Sequence, residues 1–150
     1  MADKKGFDMI EIIKASAGSG KTFTLARKYI MLLLQNEDRY AYRHILAVTF
    51  TNKATEEMKS RILKELHILA TEPQKSDYYK DFVPAYYQSD PELKKAAETV
   101  LCNILHDYSA FAVSTIDRFF QQTLKAFSRE IGHFASYQIE LDRSSLIAES

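Results

Sequence analysis

The sequence predicts an α/β fold built on a parallel sheet flanked by helices. Three observations carry that expectation. Short apolar runs rich in β-branched or aromatic residues recur at 9–14, 45–50 and 111–114. Each is followed by a stretch whose apolar residues repeat at helical spacing. The first strand-to-helix junction is a turn of small residues, Ala15-Ser16-Ala17-Gly18-Ser19-Gly20. Alternation of this kind pairs strands in parallel through right-handed crossovers.

Residues 9–14 read as a buried strand leading into that turn. In the helix that follows, Leu25, Ala26, Tyr29, Ile30, Leu32 and Leu33 are spaced to cover one broad face, and Asn36, Glu37, Asp38 and Arg39 end it. Residues 45–50 read as a second buried-type strand. Thr51 or Asn52 then caps a helix with apolar positions at Ala54, Met58, Ile62, Leu66 and Leu69. Glu56 and Glu57 are expected in its first turn, where the helix dipole favours anions. Residues 72–90 contain Pro73, Pro84 and the pairs Tyr78-Tyr79 and Tyr86-Tyr87, and read as a loop or insertion. With the next helix they form an expected helical insertion over about 72–108. That helix starts at Pro91 and runs through Leu101, Ile104 and Leu105. After the strand at 111–114 comes a helix holding Phe119, Phe120, Leu124 and Phe127, ended by Gly132. Residues 137–141 alternate as a half-exposed strand, and Ser144 or Ser145 opens a last helix.

A chain of 150 residues is one domain, or a piece of a longer protein. It buries roughly 70% of its unfolded surface on folding, enough for one core. With 46% apolar and 27% charged residues, disorder of the whole chain is excluded. The single cysteine, Cys102, excludes an intramolecular disulfide and fits a reducing compartment. No apolar run approaches the ~18 residues of a membrane span, and the N-terminus lacks the apolar core of a signal peptide. A soluble, cytoplasmic protein is expected. The net charge is zero, but residues 1–70 carry 12 Lys and Arg against 8 Asp and Glu, so neutrality does not exclude a polyanionic partner.

The segment from Ala15 to Thr22 has the composition of a phosphate-binding loop. Polyphosphate needs unencumbered backbone N–H groups, a helix N-terminus, a flexible cation and a hydroxyl for magnesium. Ser16, Ala17, Gly18, Ser19 and Gly20 would supply the cradle, Lys21 would reach the β- and γ-phosphates, and Thr22 would ligate Mg²⁺. ATP and Mg²⁺ are the expected ligands. The first position is Ala15, where the general pattern has glycine. Hydrolysis also requires an acid at a neighbouring strand end, for which Asp117 and Asp142 are candidates.

A second motif begins where the strand at 45–50 ends in Phe50 and passes directly into Thr51, Asn52 and Lys53. Strand ends of open α/β sheets face the binding crevice. Phe50 there is either a stacking face for a base or simply core, and Asn52 either a phosphate contact or a cap.

The stretches ASAGSGKTFTLA (15–26), ILAVTFTNKATEEMKSRI (45–62) and VSTIDRFFQQTL (113–124) together resemble the opening of a superfamily 1 DNA helicase of the UvrD/Rep/RecB type. The resemblance implies a RecA-like phosphate-loop domain and ATP-driven, 3′-to-5′ movement on single-stranded DNA. It also implies a role in repair, with double-stranded DNA as the substrate to be opened and other subunits of a helicase–nuclease complex as possible partners. By resemblance Phe50 stacks on a base, Thr51, Asn52 and Lys53 contact the DNA backbone, and Thr115 and Phe119 lie beside DNA. The third motif of the family usually reads Thr-Ile-His-Ser-Phe-Cys. Here Thr115, Ile116 and Phe119 match, whereas Asp117, Arg118 and Phe120 do not. The adenine-reading glutamine upstream of the loop is missing, since the first glutamine is Gln35. The family's paired acids, arginine fingers and second motor domain are also missing. The chain therefore reads as the N-terminal part of the first motor domain, with little unwinding activity alone. A small stand-alone ATPase or kinase using Asp117 or Asp142, and a non-enzymatic nucleotide-binding module, are the alternatives.

His44, His67, His106 and His133 have no ligand spacing among themselves or with Cys102. The paired tyrosines are read as loop packing rather than base-stacking groups. Lys94 and Lys95 are read as a solvated helix face.

Overall fold

The structure, a computed structural model, describes residues 20–131. The expected strand at 9–14, the loop residues Ala15 to Ser19, Gly132, the strand at 137–141, Asp142 and the helix start at Ser144 or Ser145 lie outside the described residues.

Helix α1 (Lys21–Gln35) starts directly after Gly20, whose φ of 73° lies in the left-handed region that glycine enters without steric cost. It buries Ala26, Tyr29, Ile30, Leu33 and Leu34. That stripe is narrower than the face expected from sequence, because Leu25 and Leu32 are exposed. A 3₁₀ turn at Ala41–Arg43 leads to strand β1 (Ala47–Thr49). Strand β1 pairs in parallel with β2 (Val113–Thr115), in the register Ala47↔Val113, Val48↔Ser114 and Thr49↔Thr115. The strands are shorter than the apolar runs suggest. Strand β1 is also not fully buried, since Leu46 and Val48 are exposed.

Helix α2 (Asn52–Thr71) is the centre of the described core and packs against both α1 and the later helix at Asp90–His106. Met58, Ile62, Leu66 and Leu69 form a continuous buried stripe at the spacing of one helix face. Each such side chain contributes roughly 1.5–3 kcal/mol on full burial. Glu56 and Glu57 fall in the second turn rather than the first, because the helix already begins at Asn52 and its first turn holds no acid. It stops at Thr71, two residues before Pro73.

Residues 72–90 are not an open loop. A 3₁₀ turn at Pro73–Lys75 and the short helix α3 (Tyr79–Phe82) fold the segment back onto the core. Pro73, Ser76, Tyr78 and Phe82 are buried, with Tyr78 and Phe82 at 0% exposure. The prolines and turns signal irregular backbone, and the aromatic rings fill the core from that irregular backbone. Helix α4 (Asp90–His106) carries Pro91 in its first turn, where the missing N–H costs nothing, and buries Leu93, Ala96, Ala97, Val100 and Ile104. Leu105 points away from that stripe and is exposed.

Helix α5 (Ile116–Ile131) leaves strand β2 directly. Phe120, Leu124 and Phe127 stand on one face of it and are more than half exposed. The sheet of the described residues has these two strands, so the fold is α/β with helices predominating. None of the described helices is long and apolar enough to cross a membrane.

Candidate functional site

Two strand-to-helix junctions lie side by side because β1 and β2 run in the same direction. Thr49 pairs with Thr115, so Phe50 and Ile116 leave the sheet at the same edge. Each junction is closed by a threonine. Thr51 Oγ1 accepts from the Ala54 N–H at 3.1 Å, and Thr115 Oγ1 accepts from the Arg118 N–H at 3.3 Å. These bonds satisfy one free donor of α2 and one of α5 and leave both helix N-termini at the strand edge. Thr49 Oγ1 adds a 2.6 Å hydrogen bond to Thr55 Oγ1, tying the strand end to the second helix. Between Thr51 and Asn52, the cap is Thr51; Asn52 is the first helical residue and is exposed. Replacing Thr51 by alanine should destabilise the fold by about 1 kcal/mol, read from a shifted denaturant midpoint with unchanged slope.

Phe50 is 87% exposed, the most exposed large apolar residue of the described chain. A phenylalanine in water at the end of a strand is not core, and its ring is free to stack. Lys53 beside it is also exposed, and Phe119 in α5 is half-buried against Phe120, with ring centroids 5.8 Å apart. Asp117 is exposed in the first turn of α5, where the helix dipole accommodates its charge. The structure thus brings Phe50, Thr51, Asn52, Lys53 and Thr115 to one edge, with Phe119 in the first turn of the adjoining helix.

Of the phosphate-loop residues, Gly20, Lys21 and Thr22 are described. Lys21 is exposed and Thr22 half-buried, both in the first turn of α1. That turn holds no acid of its own, so none of its side chains offsets the positive end of the helix dipole. The Gly20 carbonyl accepts from the Thr24 N–H at 2.9 Å, closing the first helical turn.

Sequence reasoning missed what surrounds this turn. Tyr78, from the segment expected as a loop or insertion, donates its hydroxyl to the Phe23 carbonyl at 3.1 Å and packs its ring edge-on against Phe23 at 4.9 Å. Burial is the main cause raising the Tyr78 pKa, with the Glu65 carboxylate adding to it, so the phenol stays a proton donor. The Tyr78 N–H donates to Ser76 Oγ at 3.1 Å, and Ser76 Oγ donates to buried Glu65 at 2.7 Å. The Arg61 guanidinium lies over the Phe23 ring, 5.8 Å from its centroid. Asp81 forms a two-point ion pair with Arg27, one arm of which is Nε to Oδ2 at 2.7 Å. The hydrogen bond raises the Arg27 pKa, so its positive charge is retained. No local pattern signals the Tyr78–Phe23 and Asp81–Arg27 contacts, which join residues more than fifty positions apart.

Comparison with known proteins adds a family. Residues 6–149 match the family described as UvrD/REP helicase N-terminal domain. The RecBCD enzyme subunit RecB of Buchnera aphidicola subsp. Acyrthosiphon pisum is 34% identical over 125 residues, covering 77% of this chain and 10% of the relative. The RecB subunit of Escherichia coli K12 is 33% identical over 145 residues, covering 90% of this chain and 12% of the relative. The ATP-dependent DNA helicase Rep of Buchnera aphidicola subsp. Schizaphis graminum is 48% identical over 58 residues, covering 39% of this chain and 8% of the relative. The chain spans about a tenth of the length of these relatives. No solved structure matches.

Proposed function

Because the chain belongs to the UvrD/REP helicase N-terminal domain family, we propose that it is the opening part of the first motor domain of an ATP-dependent DNA helicase. In that reading the whole protein couples ATP hydrolysis to 3′-to-5′ movement on single-stranded DNA in repair or recombination. It works in the cytoplasm, and the RecB relatives favour a place in a helicase–nuclease complex. The observation that carries the proposal is Phe50, an aromatic ring 87% exposed at a strand edge beside two capped helix N-termini.

That edge suits a single strand for physical reasons. A base stacks on an exposed ring regardless of its identity, a contact of about 1–3 kcal/mol per base. The N–H groups and dipole at the start of α2, whose first turn holds no acid, favour backbone phosphates, and Lys53 adds a cation. Thr51, Asn52 and Thr115 offer short polar side chains at the same height, and Phe119 extends the aromatic surface.

The first turn of α1 fits MgATP. It has an exposed lysine, a hydroxyl residue next to it, a left-handed glycine before it and no acid within the turn itself. MgATP, when bound, supplies the hydrolysable γ-phosphoryl bond. Lys21 would hold the β- and γ-phosphate oxygens and Thr22 the metal, with Ser16, Ala17, Gly18, Ser19 and Gly20 presenting backbone N–H groups. In this reading the chain contributes the phosphate, metal and DNA contacts of the motor.

Titration of a labelled oligothymidylate at several salt concentrations tests the DNA reading. Phe50→Ala should weaken binding about five- to hundredfold with the salt slope unchanged, because stacking releases no counterions. Lys53→Ala should reduce the slope by about 0.7, the share of one phosphate contact on a single strand. Unaltered binding in both variants would remove the strand edge as the DNA site.

A further inference from the structure

The segment between α2 and α4 touches the phosphate-loop helix at three successive points. Tyr78 Oη donates to the Phe23 carbonyl at 3.1 Å, Asp81 pairs with Arg27, and Tyr87 Oη donates to the Leu34 carbonyl at 2.6 Å. The partners advance together along both stretches, 23 with 78, 27 with 81 and 34 with 87. The segment therefore runs alongside α1 in the same direction, from its first turn to its last. Two of the three contacts are neutral hydroxyl-to-carbonyl bonds at opposite ends of the helix, and the third is an ion pair between them.

The contact at the first turn differs from the others in what it adjoins. Phe23 follows Thr22 directly, and its main chain is part of the turn that presents Lys21 and Thr22. The Phe23 carbonyl has two lone pairs and accepts a side-chain donor without giving up its helical bond. Its ring is enclosed by Tyr78 on one side and the Arg61 guanidinium on another. Tyr78 is itself immobilised, fully buried and anchored through Ser76 to Glu65 on α2. A displacement of Tyr78 would be passed to the backbone one residue from the magnesium and phosphate ligands.

We propose that Tyr78 is a positioning residue for the nucleotide site, holding the first turn of α1 so that Lys21 and Thr22 meet the phosphates. The inference rests on the reading of Gly20, Lys21 and Thr22 as phosphate ligands. It gives residues 76–87 a task beyond filling the core. They register the nucleotide-binding helix against α2, the helix that starts at the strand edge holding Phe50. Tyr87 makes the same kind of bond at the far end of α1, where no phosphate ligand lies, and so serves as an internal control.

The experiment compares the full chain with Tyr78→Phe, Tyr87→Phe and Lys21→Ala by titration with a fluorescent ATP analogue and Mg²⁺, alongside thermal unfolding. Both tyrosine variants keep their rings; Tyr78→Phe loses the bond to the Phe23 carbonyl, and Tyr87→Phe loses the bond to the Leu34 carbonyl and the 3.5 Å bond from Arg39 Nη1, so each should lower the Tm by a few degrees. Tyr78→Phe should also weaken nucleotide binding about fivefold, the equivalent of one hydrogen bond's worth of preorganisation. Tyr87→Phe should leave the affinity unchanged. Equal affinities for Tyr78→Phe and the parent chain, with Lys21→Ala impaired, would overturn the positioning role while sparing the phosphate loop. Full affinity in Lys21→Ala would instead sink the loop reading on which the inference stands.

Discussion

Replacing Lys21 by alanine is expected to lower nucleotide affinity by about ten- to hundredfold while leaving the fold unchanged. A lysine that meets phosphate makes charge-assisted hydrogen bonds of about 1.5–3 kcal/mol, which converts to that range. In the proposed helicase the loss of turnover should be larger still, about 10²–10³, because charge on the transferring phosphoryl group grows towards the transition state. The structural cost should be negligible. Lys21 is exposed in the first turn of α1, and alanine is the better helix former. The two readouts separate cleanly: titration with an ATP analogue should change and the unfolding midpoint should not. A shifted midpoint with intact affinity would assign Lys21 to the fold and not to the ligand.

The second large effect is on stability and falls where the sequence suggests little. Phe82→Ala should destabilise the chain by about 3–5 kcal/mol, the usual range for deleting a fully buried ring. Phe82 is 0% exposed within α3, a helix of four residues that has no stability apart from its packing. Tyr86→Ala, four positions on and exposed, should change stability by no more than about 0.5 kcal/mol. Chemical denaturation of the two variants under the same conditions measures the contrast. Equal effects would mean that residues 72–90 hang on the molecule rather than belong to its core.

The fold was legible wherever one helix face or one strand carries its own pattern. Met58, Ile62, Leu66 and Leu69 announce the buried stripe of α2, and the apolar runs at 45–50 and 111–114 place the two strands with ends one residue off, at Thr49 and Thr115. Periodicity is less informative about which half of an apolar arc meets a neighbour. Leu25, Leu32 and Leu105 satisfy the helical spacing yet face solvent, because a helix buries only the stripe its partners reach. Phe120, Leu124 and Phe127 show the same limit on α5. The segment 72–90 reads as a loop or insertion because prolines and turns mark irregular backbone. They carry no information about whether the side chains are inside, and Tyr78 and Phe82 are.

The candidate site divides along the same line. Gly20, Lys21, Thr22 and the run from Phe50 to Lys53 stand out because the chemistry needs those residue types in consecutive order. The register that sets Thr49 against Thr115 makes neighbours of two motifs over sixty residues apart. Its parallel sense was predictable from the strand–helix alternation, but the pairing itself was not. The brace on α1 was illegible altogether. A tyrosine hydroxyl that finds a carbonyl fifty-five residues away leaves no trace in spacing or composition.

That distance has a consequence for the order in which the molecule can assemble on the ribosome. The three partners of α1 lie 55, 54 and 53 residues downstream of the groups they hold. At roughly 5–20 residues per second of synthesis, the helix emerges several seconds before any of them exists. An amphipathic helix of 15 residues is marginal in water by itself. The nascent α1 should therefore gain protease protection in stages, first when α2 has emerged to pack against it and again when residues 78–87 have left the exit tunnel.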